Sequence, residues 1–367
     1  VDGRLGRHGR VGDRSRQRVA AVARSLNAER ILVTSERPKL SWQVLDLDPE
    51  ATSTRIAESL RDITARILRR RGLVVAISGG IDSSVSASLA VRALGPERVF
   101  ALILPERDSS SDSAARGRLL AEHLGVQYEV QDIAPTLEAI GCYARRDAAI
   151  RRVIPAYDDR WRMKIVIRGG AEGQINRFHI MAVAPDGTQH EEALGLREYL
   201  EVVAATNFKQ RIRKTFEYFH ADRLNYAVVG TPNRLEYDQG FFVKNGDGSA
   251  DLKPIAHLYK TQVYALGRYL GLPESLRDVS PTTDTYSLPQ GQDEFYFALP
   301  YREMDLALWA INHNVPASEL AAVLGITEKR AEFIYTDIRN KRRTTRYLHR
   351  RPVLVEPVSE IELHADA

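Results

Sequence analysis

Residues 73–84 read Leu-Val-Val-Ala-Ile-Ser-Gly-Gly-Ile-Asp-Ser-Ser, and this stretch decides the fold. An apolar run enters two glycines, an aspartate and paired serines, and a helical pattern follows. That order predicts a buried parallel strand opening through a tight turn onto a helix N-terminus. The turn suits a polyphosphate. Gly79 and Gly80 let the backbone approach closely, Ser78, Ser83 and Ser84 supply hydroxyls, and the first N–H groups of the helix point at the anion. Asp82 is wrong for an anion but right for the magnesium that accompanies one.

No Lys-Ser/Thr follows the glycines at the spacing of a Walker loop. The stretch instead resembles the SGGxDS loop of the N-type ATP pyrophosphatases, which cradles pyrophosphate as ATP gives up AMP.

Outward from this loop, strands and helices alternate. A helix is expected over 49–71, a strand at 98–105, a helix at 109–125 and a strand at 127–133. A further helix runs from about 199 to His220, followed by a strand at 224–231. The pattern implies an α/β fold, a doubly wound parallel sheet with helices on both faces. Ligands in such sheets bind beyond the carboxyl ends of the strands, so Pro105–Asp108 is the expected seat of the adenosine half of ATP. Residues 150–205 break the rhythm and read as a small β-rich insertion, with Pro185-Asp186-Gly187 as a hairpin turn. Helices are expected at 259–273, 301–313, 316–324 and 327–343, giving a helical C-terminal part. The pair around Gly325 has the outline of a helix-turn-helix, but helix pairs with a glycine turn are common in plain structural roles, and that role is the one expected here. The domain expectation is a basic extension over 1–48, one domain over 49–350 and an extended tail over 351–367.

Composition narrows the function. The chain has 367 residues, 44% hydrophobic and 27% charged, ordinary values for a globular protein. Its single cysteine, Cys142, excludes a disulfide framework or a Cys-rich zinc site. No apolar run reaches the length of a membrane span and no signal peptide is visible, so a cytoplasmic enzyme is expected. The net charge is +4, and six arginines between Arg4 and Arg18 form a basic arm. A solvated extension accounts for it better than nucleic-acid binding.

Five segments then occur in order: SGGIDSS, NFKQRIR, GTPNRLEYDQGFFVKNGDGSADLKPIAHLYKTQV, SPTTD and NKRR. Together they resemble the ammonia-dependent NAD synthases, with their adenine nucleotide alpha-hydrolase-like sheet. The similarity runs from about 50 to 350, leaving out the arm and the β-rich insertion. The resemblance implies that Ala76, Ile77, Ser78, Gly79, Gly80, Ile81, Asp82 and Ser83 hold the ATP triphosphate. It places Thr231, Lys260 and Thr282 on ATP, and Asp82 and Glu236 on Mg2+. It gives Arg211, Lys244, Asp251, Asn340 and Lys341 to the deamido-NAD substrate. Asp82, Glu236 and Lys260 would carry the catalysis.

The implied reaction has two steps: a substrate carboxylate takes AMP from ATP, releasing pyrophosphate, and ammonia displaces AMP to form the amide. No side-chain nucleophile is required. The resemblance also implies a homodimer, and a separate glutaminase subunit if glutamine supplies the nitrogen.

Three departures bear on the substrate: the insertion, Asn340 where the family usually has histidine, and the aromatic stretch 286–310. They keep a second amide ligase reading open, with another carboxylate. RNA modification by a related pyrophosphatase is the more distant alternative.

Overall fold

The computed structural model describes residues 38–168, 177–277, 286–288 and 299–358. The arginine arm, Thr282 and most of 286–298 lie outside them. Residues 40–349 form one compact unit.

Its centre is a parallel four-stranded sheet in the order β3-β2-β1-β7: β1 (Leu73–Ala76), β2 (Val99–Ile103), β3 (Gln127–Val130) and β7 (Ala227–Val229). β1 lies between β2 and β7, with Leu73 opposite both Val99 and Ala227. Every residue of β2 and β7 is buried, while β3 at the edge is partly exposed. Successive strand residues face opposite ways. Leu73 and Val75 join the core beneath α1 (Pro49–Asp62) and α2 (Ile81–Leu94), where Ile56, Leu60, Val85 and Leu89 pack. Val74 and Val228 face the other way, onto Leu137, Cys142, Tyr143 and Ala221. Both faces are therefore covered, which is why these strands read as continuous apolar runs.

α3 (Ser111–Leu124) connects β2 to β3, and α4 (Ala134–Ala139) and α5 (Cys142–Arg151) follow. A second sheet then forms: β4 (Arg162–Arg168), β5 (Arg177–Val183) and β6 (Gln189–Ala193), all antiparallel. At its β5–β6 turn Gly187 takes φ 89° and the Asp186 carboxylate accepts from Thr188 N at 2.9 Å. Met163, Ile165, Ile180 and Ala182 line one face of this sheet and pack with Ile150 of α5 and Val202 of α6 (Leu196–Leu224). α6 is longer at both ends than the sequence predicts, because no glycine or proline interrupts it between Gly195 and Asn225.

α7 (Arg234–Gln239), α8 (Lys260–Tyr269) and α9 (Glu274–Arg277) complete the site region. Residues 240–255 contain no helix or strand, only a bridge from Val229 to Leu252. A separate apolar cluster unites α10 (Tyr301–Asn312), α11 (Ala317–Leu324) and α12 (Glu328–Thr345) with Leu40 and Leu45. The compact unit thus begins ahead of residue 49. Leu40 N donates to Glu319 at 2.9 Å, and Gln262 donates to Leu45 O at 3.1 Å. The apolar faces of α11 and α12 meet each other: Leu320 and Ala321 share a core with Ala331, Ile334 and Ile338. Among the described residues no helix is long and apolar enough to cross a membrane.

Candidate active site

The carboxyl ends of β1 and β7 bring three loops together. The first is the serine-glycine loop after β1. Gly79 adopts φ 78°, and the Ser83 hydroxyl donates to Gly80 O at 3.0 Å and accepts from Ser78 N at 3.3 Å. Ser84 also donates to Gly80 O, at 2.9 Å. These bonds fold the loop over the start of α2, a helix of 14 residues. The helix dipole and free N–H groups there favour an anion.

The second loop follows β7 and carries Thr231, Asn233 and Glu236. Asn233 is fully buried and caps α7: its side-chain oxygen accepts from Leu235 N at 2.9 Å and Glu236 N at 3.3 Å. Glu236 returns the bond to Asn233 N at 3.1 Å, closing a capping box. Asn233 then uses its side-chain N–H to reach Asp82 at 3.1 Å. One asparagine therefore ties the carboxylates of two separate elements together. The sequence reading missed it, although Asn-x-x-Glu ahead of a helical run is a legible capping signal.

The third element is α8. Lys260, at its first position, is 1% exposed and forms an ion pair with Asp82. Burial opposes its charge, but the Asp82 and Glu236 carboxylates outweigh that and hold its pKa above the usual lysine range. Buried Asp305 of α10 fixes the helix start, accepting from Lys260 N at 3.1 Å and Thr261 N at 2.8 Å. Burial pushes the Asp305 carboxyl up to about 6 in spite of these donors. No sequence signal marks Asp305, which lies 45 residues from its partner.

Asp82, Glu236 and Lys260 are thus brought into one cluster at the serine-glycine loop. One lysine faces two carboxylates. Among the described residues no group of three or more ligating side chains gathers. Two hard oxygen donors suit magnesium, which takes its remaining ligands from phosphate and water.

The residues expected to contact the carboxylate substrate divide differently. Arg211 of α6 donates to Lys244 O at 3.4 Å, and Lys244 reaches Tyr347 O at 2.8 Å, its ammonium 5.2 Å from the Tyr347 ring centre. Asp251 accepts from Val228 N at 2.7 Å and from the Tyr218 hydroxyl at 3.3 Å, holding the loop to β7. Asn340 accepts from Arg343 at 3.2 Å, and Lys341 pairs with Asp337 at 2.6 Å, both on α12. Burial lowers the Lys341 pKa against the opposing pull of Asp337. Arg342 anchors that helix to α7 through Asp238 at 2.5 and 2.8 Å. Thr282 lies outside the described residues.

The loop after β2 carries its own charged cluster. Lys209 of α6 reaches Glu106 at 3.0 Å and Asp108 at 2.6 Å, and Arg146 of α5 reaches Asp108 at 2.5 Å. Tyr143 donates to Glu106 at 2.8 Å. Burial raises the pKa of Asp108, but Lys209, Arg146 and Arg107 outweigh it, and the net effect is downward. Cys142 is buried beside this cluster, and burial pushes its thiol up to about 11, which keeps it protonated and poorly nucleophilic.

With this geometry in view, comparison with known proteins is decisive. The sequence model of the NAD synthase family matches residues 53–170 and 173–348. The chain belongs to the NAD synthase family. The matched residues include those of the antiparallel sheet. The NH(3)-dependent NAD(+) synthetase of Rhizobium meliloti is 54% identical over 323 residues, covering 88% of this chain and 96% of the relative. Two solved structures share the fold. The NMN synthetase of Francisella tularensis superposes with a TM-score of 0.59 at 23% identity, over 84% of this chain and 99% of that one. The NH3-dependent NAD synthetase of Campylobacter jejuni gives 0.55 at 21%, over 85% and 100%.

Proposed function

We infer that this protein is a carbon–nitrogen ligase that amidates deamido-NAD with ammonia at the expense of ATP, releasing AMP and pyrophosphate. Beside the family membership, the observation that carries the reading is the joining of Asp82, Glu236 and Lys260 at the serine-glycine loop.

The triphosphate lies in the loop Ala76–Ser83, against backbone N–H groups that need no reorganisation. Thr231 and Thr282 complete the ATP contacts. Arg211 and Lys244 face the anionic dinucleotide, with Asp251, Asn340 and Lys341 completing its site. In the first step a carboxylate oxygen forms a bond to the α-phosphorus, and the bond to the β-phosphate oxygen breaks with its electron pair. Lys260, kept protonated by its carboxylate neighbours, opposes the charge that grows on the leaving group. In the second step ammonia adds to the acyl carbon and AMP departs. Asp82 and Glu236 would hold magnesium, which would supply further charge neutralisation at the phosphates.

A homodimer is proposed on the family resemblance. Exposed Leu196 and Leu200, one turn apart on α6, supply an apolar face in keeping with it. The nitrogen donor is free ammonia, delivered by a separate glutaminase subunit where glutamine is the source. The single buried thiol is in keeping with a cytoplasmic location.

The test is to incubate the purified protein with Mg-ATP, ammonium and deamido-NAD, measuring AMP and pyrophosphate release and following NAD by mass spectrometry. Equimolar NAD and AMP are expected. ATP cleavage with another carboxylic acid and none with deamido-NAD would replace the substrate assignment.

A further inference from the structure

The phosphate loop has a second cationic neighbour that no expected role accounts for. α3 closes directly over Gly79. A Cβ at that glycine would fall 2.7 Å from Arg116 Cβ, 2.9 Å from Ser113 O and 3.3 Å from Arg116 Nε. Gly79 is therefore required twice, by its φ of 78° and by the helix pressed on it. The same contact lays the Arg116 side chain along the loop.

Arg116 is incompletely satisfied there. One terminal nitrogen donates to the Ser113 hydroxyl at 3.3 Å, and its buried Nε has no hydrogen-bond partner among the described residues. Among the described residues no carboxylate pairs with it, whereas Lys260, at the start of α8, is matched by Asp82. A guanidinium offers five donors in a planar fork, and a buried charged donor without an acceptor is costly. Such an arrangement against an anion-cradling loop is complete only when an oxyanion arrives.

We propose that Arg116 is a pyrophosphate-contacting residue, binding non-bridging oxygens of the β- and γ-phosphates. This rests on the reading that the ATP phosphates occupy the loop Ala76–Ser83. As the substrate oxygen bonds to the α-phosphorus, the Pα–O bond breaks and its electron pair passes to pyrophosphate. Arg116 stays protonated and stabilises that charge from the α3 side, opposite in origin to Lys260 on α8. Asp82 and Glu236 then serve the divalent cation, while Arg116 serves the phosphate it accompanies.

The experiment compares Arg116→Met, which keeps the packing stem without the charge, with Arg116→Lys, which restores a charge without the fork. Inhibition by inorganic pyrophosphate is measured alongside kcat, the KM values and Tm. Arg116→Met is expected to weaken pyrophosphate inhibition about tenfold or more and to lower kcat by roughly 100-fold. Arg116→Lys should recover part of both, with the KM for deamido-NAD unchanged in each. Parental pyrophosphate inhibition and kcat in Arg116→Met, whatever its Tm, would overturn the proposal and leave Arg116 a packing residue. Asp82→Ala run in parallel separates the two layers. If it loses AMP release while Arg116→Met does not, only the arginine's role fails. If both variants keep parental turnover and inhibition, the phosphate-loop reading fails too.

Discussion

Two charged clusters, each around a buried lysine, lie beyond the carboxyl ends of neighbouring strands, and they are built differently. Beyond β2, Glu106 and Asp108 are met by Lys209, Arg146 and the Tyr143 hydroxyl, so that each carboxylate has its own counterpart. Beyond β1 and β7, Asp82 and Glu236 share one lysine, Lys260, and are bridged by a neutral amide, Asn233. The balanced cluster pins a loop to two helices. The other gathers two carboxylates around one lysine, where a metal accompanying ATP would meet them. Burial of charge is therefore no mark of a site by itself; how the charges are shared is the better guide. By that criterion the loop Pro105–Asp108, expected from its position to seat adenosine, has Glu106 and Asp108 engaged in scaffolding.

Breaking each cluster should separate these roles. The largest effect is expected from Lys260→Ala, where AMP release should fall about 1000-fold or more as the leaving group loses its nearest cation. Activity within tenfold of the parent would remove Lys260 from the chemistry. Next comes Lys209→Met, which leaves Glu106 with only the Tyr143 hydroxyl among these partners and Asp108 with Arg146, and should cost about 3–5 kcal/mol of stability, read by denaturant unfolding. Its KM for ATP should stay within about twofold of the parent under conditions where the variant is folded. A large rise in that KM at parental stability would return the loop to the nucleotide.

A smaller effect is expected at the dinucleotide end. Lys244→Ala should raise the KM for deamido-NAD about tenfold with kcat little changed, the pattern of lost ground-state binding. A parental KM would take Lys244 out of the substrate site.

The smallest effect concerns pH. Asp305 titrates near 6 in the fold and near the ordinary aspartate value when unfolded, so between these values the folded state binds the extra proton. Its contribution to stability therefore rises as pH falls from about 7 to 5. Asp305→Asn should flatten that part of the Tm-against-pH profile while keeping a side-chain acceptor for the start of α8. An unaltered slope would show that another group titrates there.

Much of the sheet could be read because its signals are local. The run Leu73–Ala76, the glycines after it and the helical spacing behind them lie within one stretch, and each of β1, β2 and β7 is an apolar run with a polar loop at its end. The same held for the β-rich insertion, whose Pro185-Asp186-Gly187 turn sits between its second and third strands. Leu40 and Leu45 were less legible, since their partners in α10 to α12 are far along the chain.

The sequence alone determined a parallel α/β sheet, a serine-glycine loop between strand and helix and, through ordered motifs, the family. Those features depend on backbone preferences and on apolar periodicity, which neighbouring residues settle among themselves. Only the tertiary structure decided which charges meet. Asp82 and Lys260 are 178 residues apart, Asp82 and Asn233 are 151 apart, and Lys209 and Glu106 are 103 apart. A carboxylate's partner is set by where the sheet and helices deliver other side chains, and no local pattern distinguishes a charge that will be balanced from one left open for a ligand.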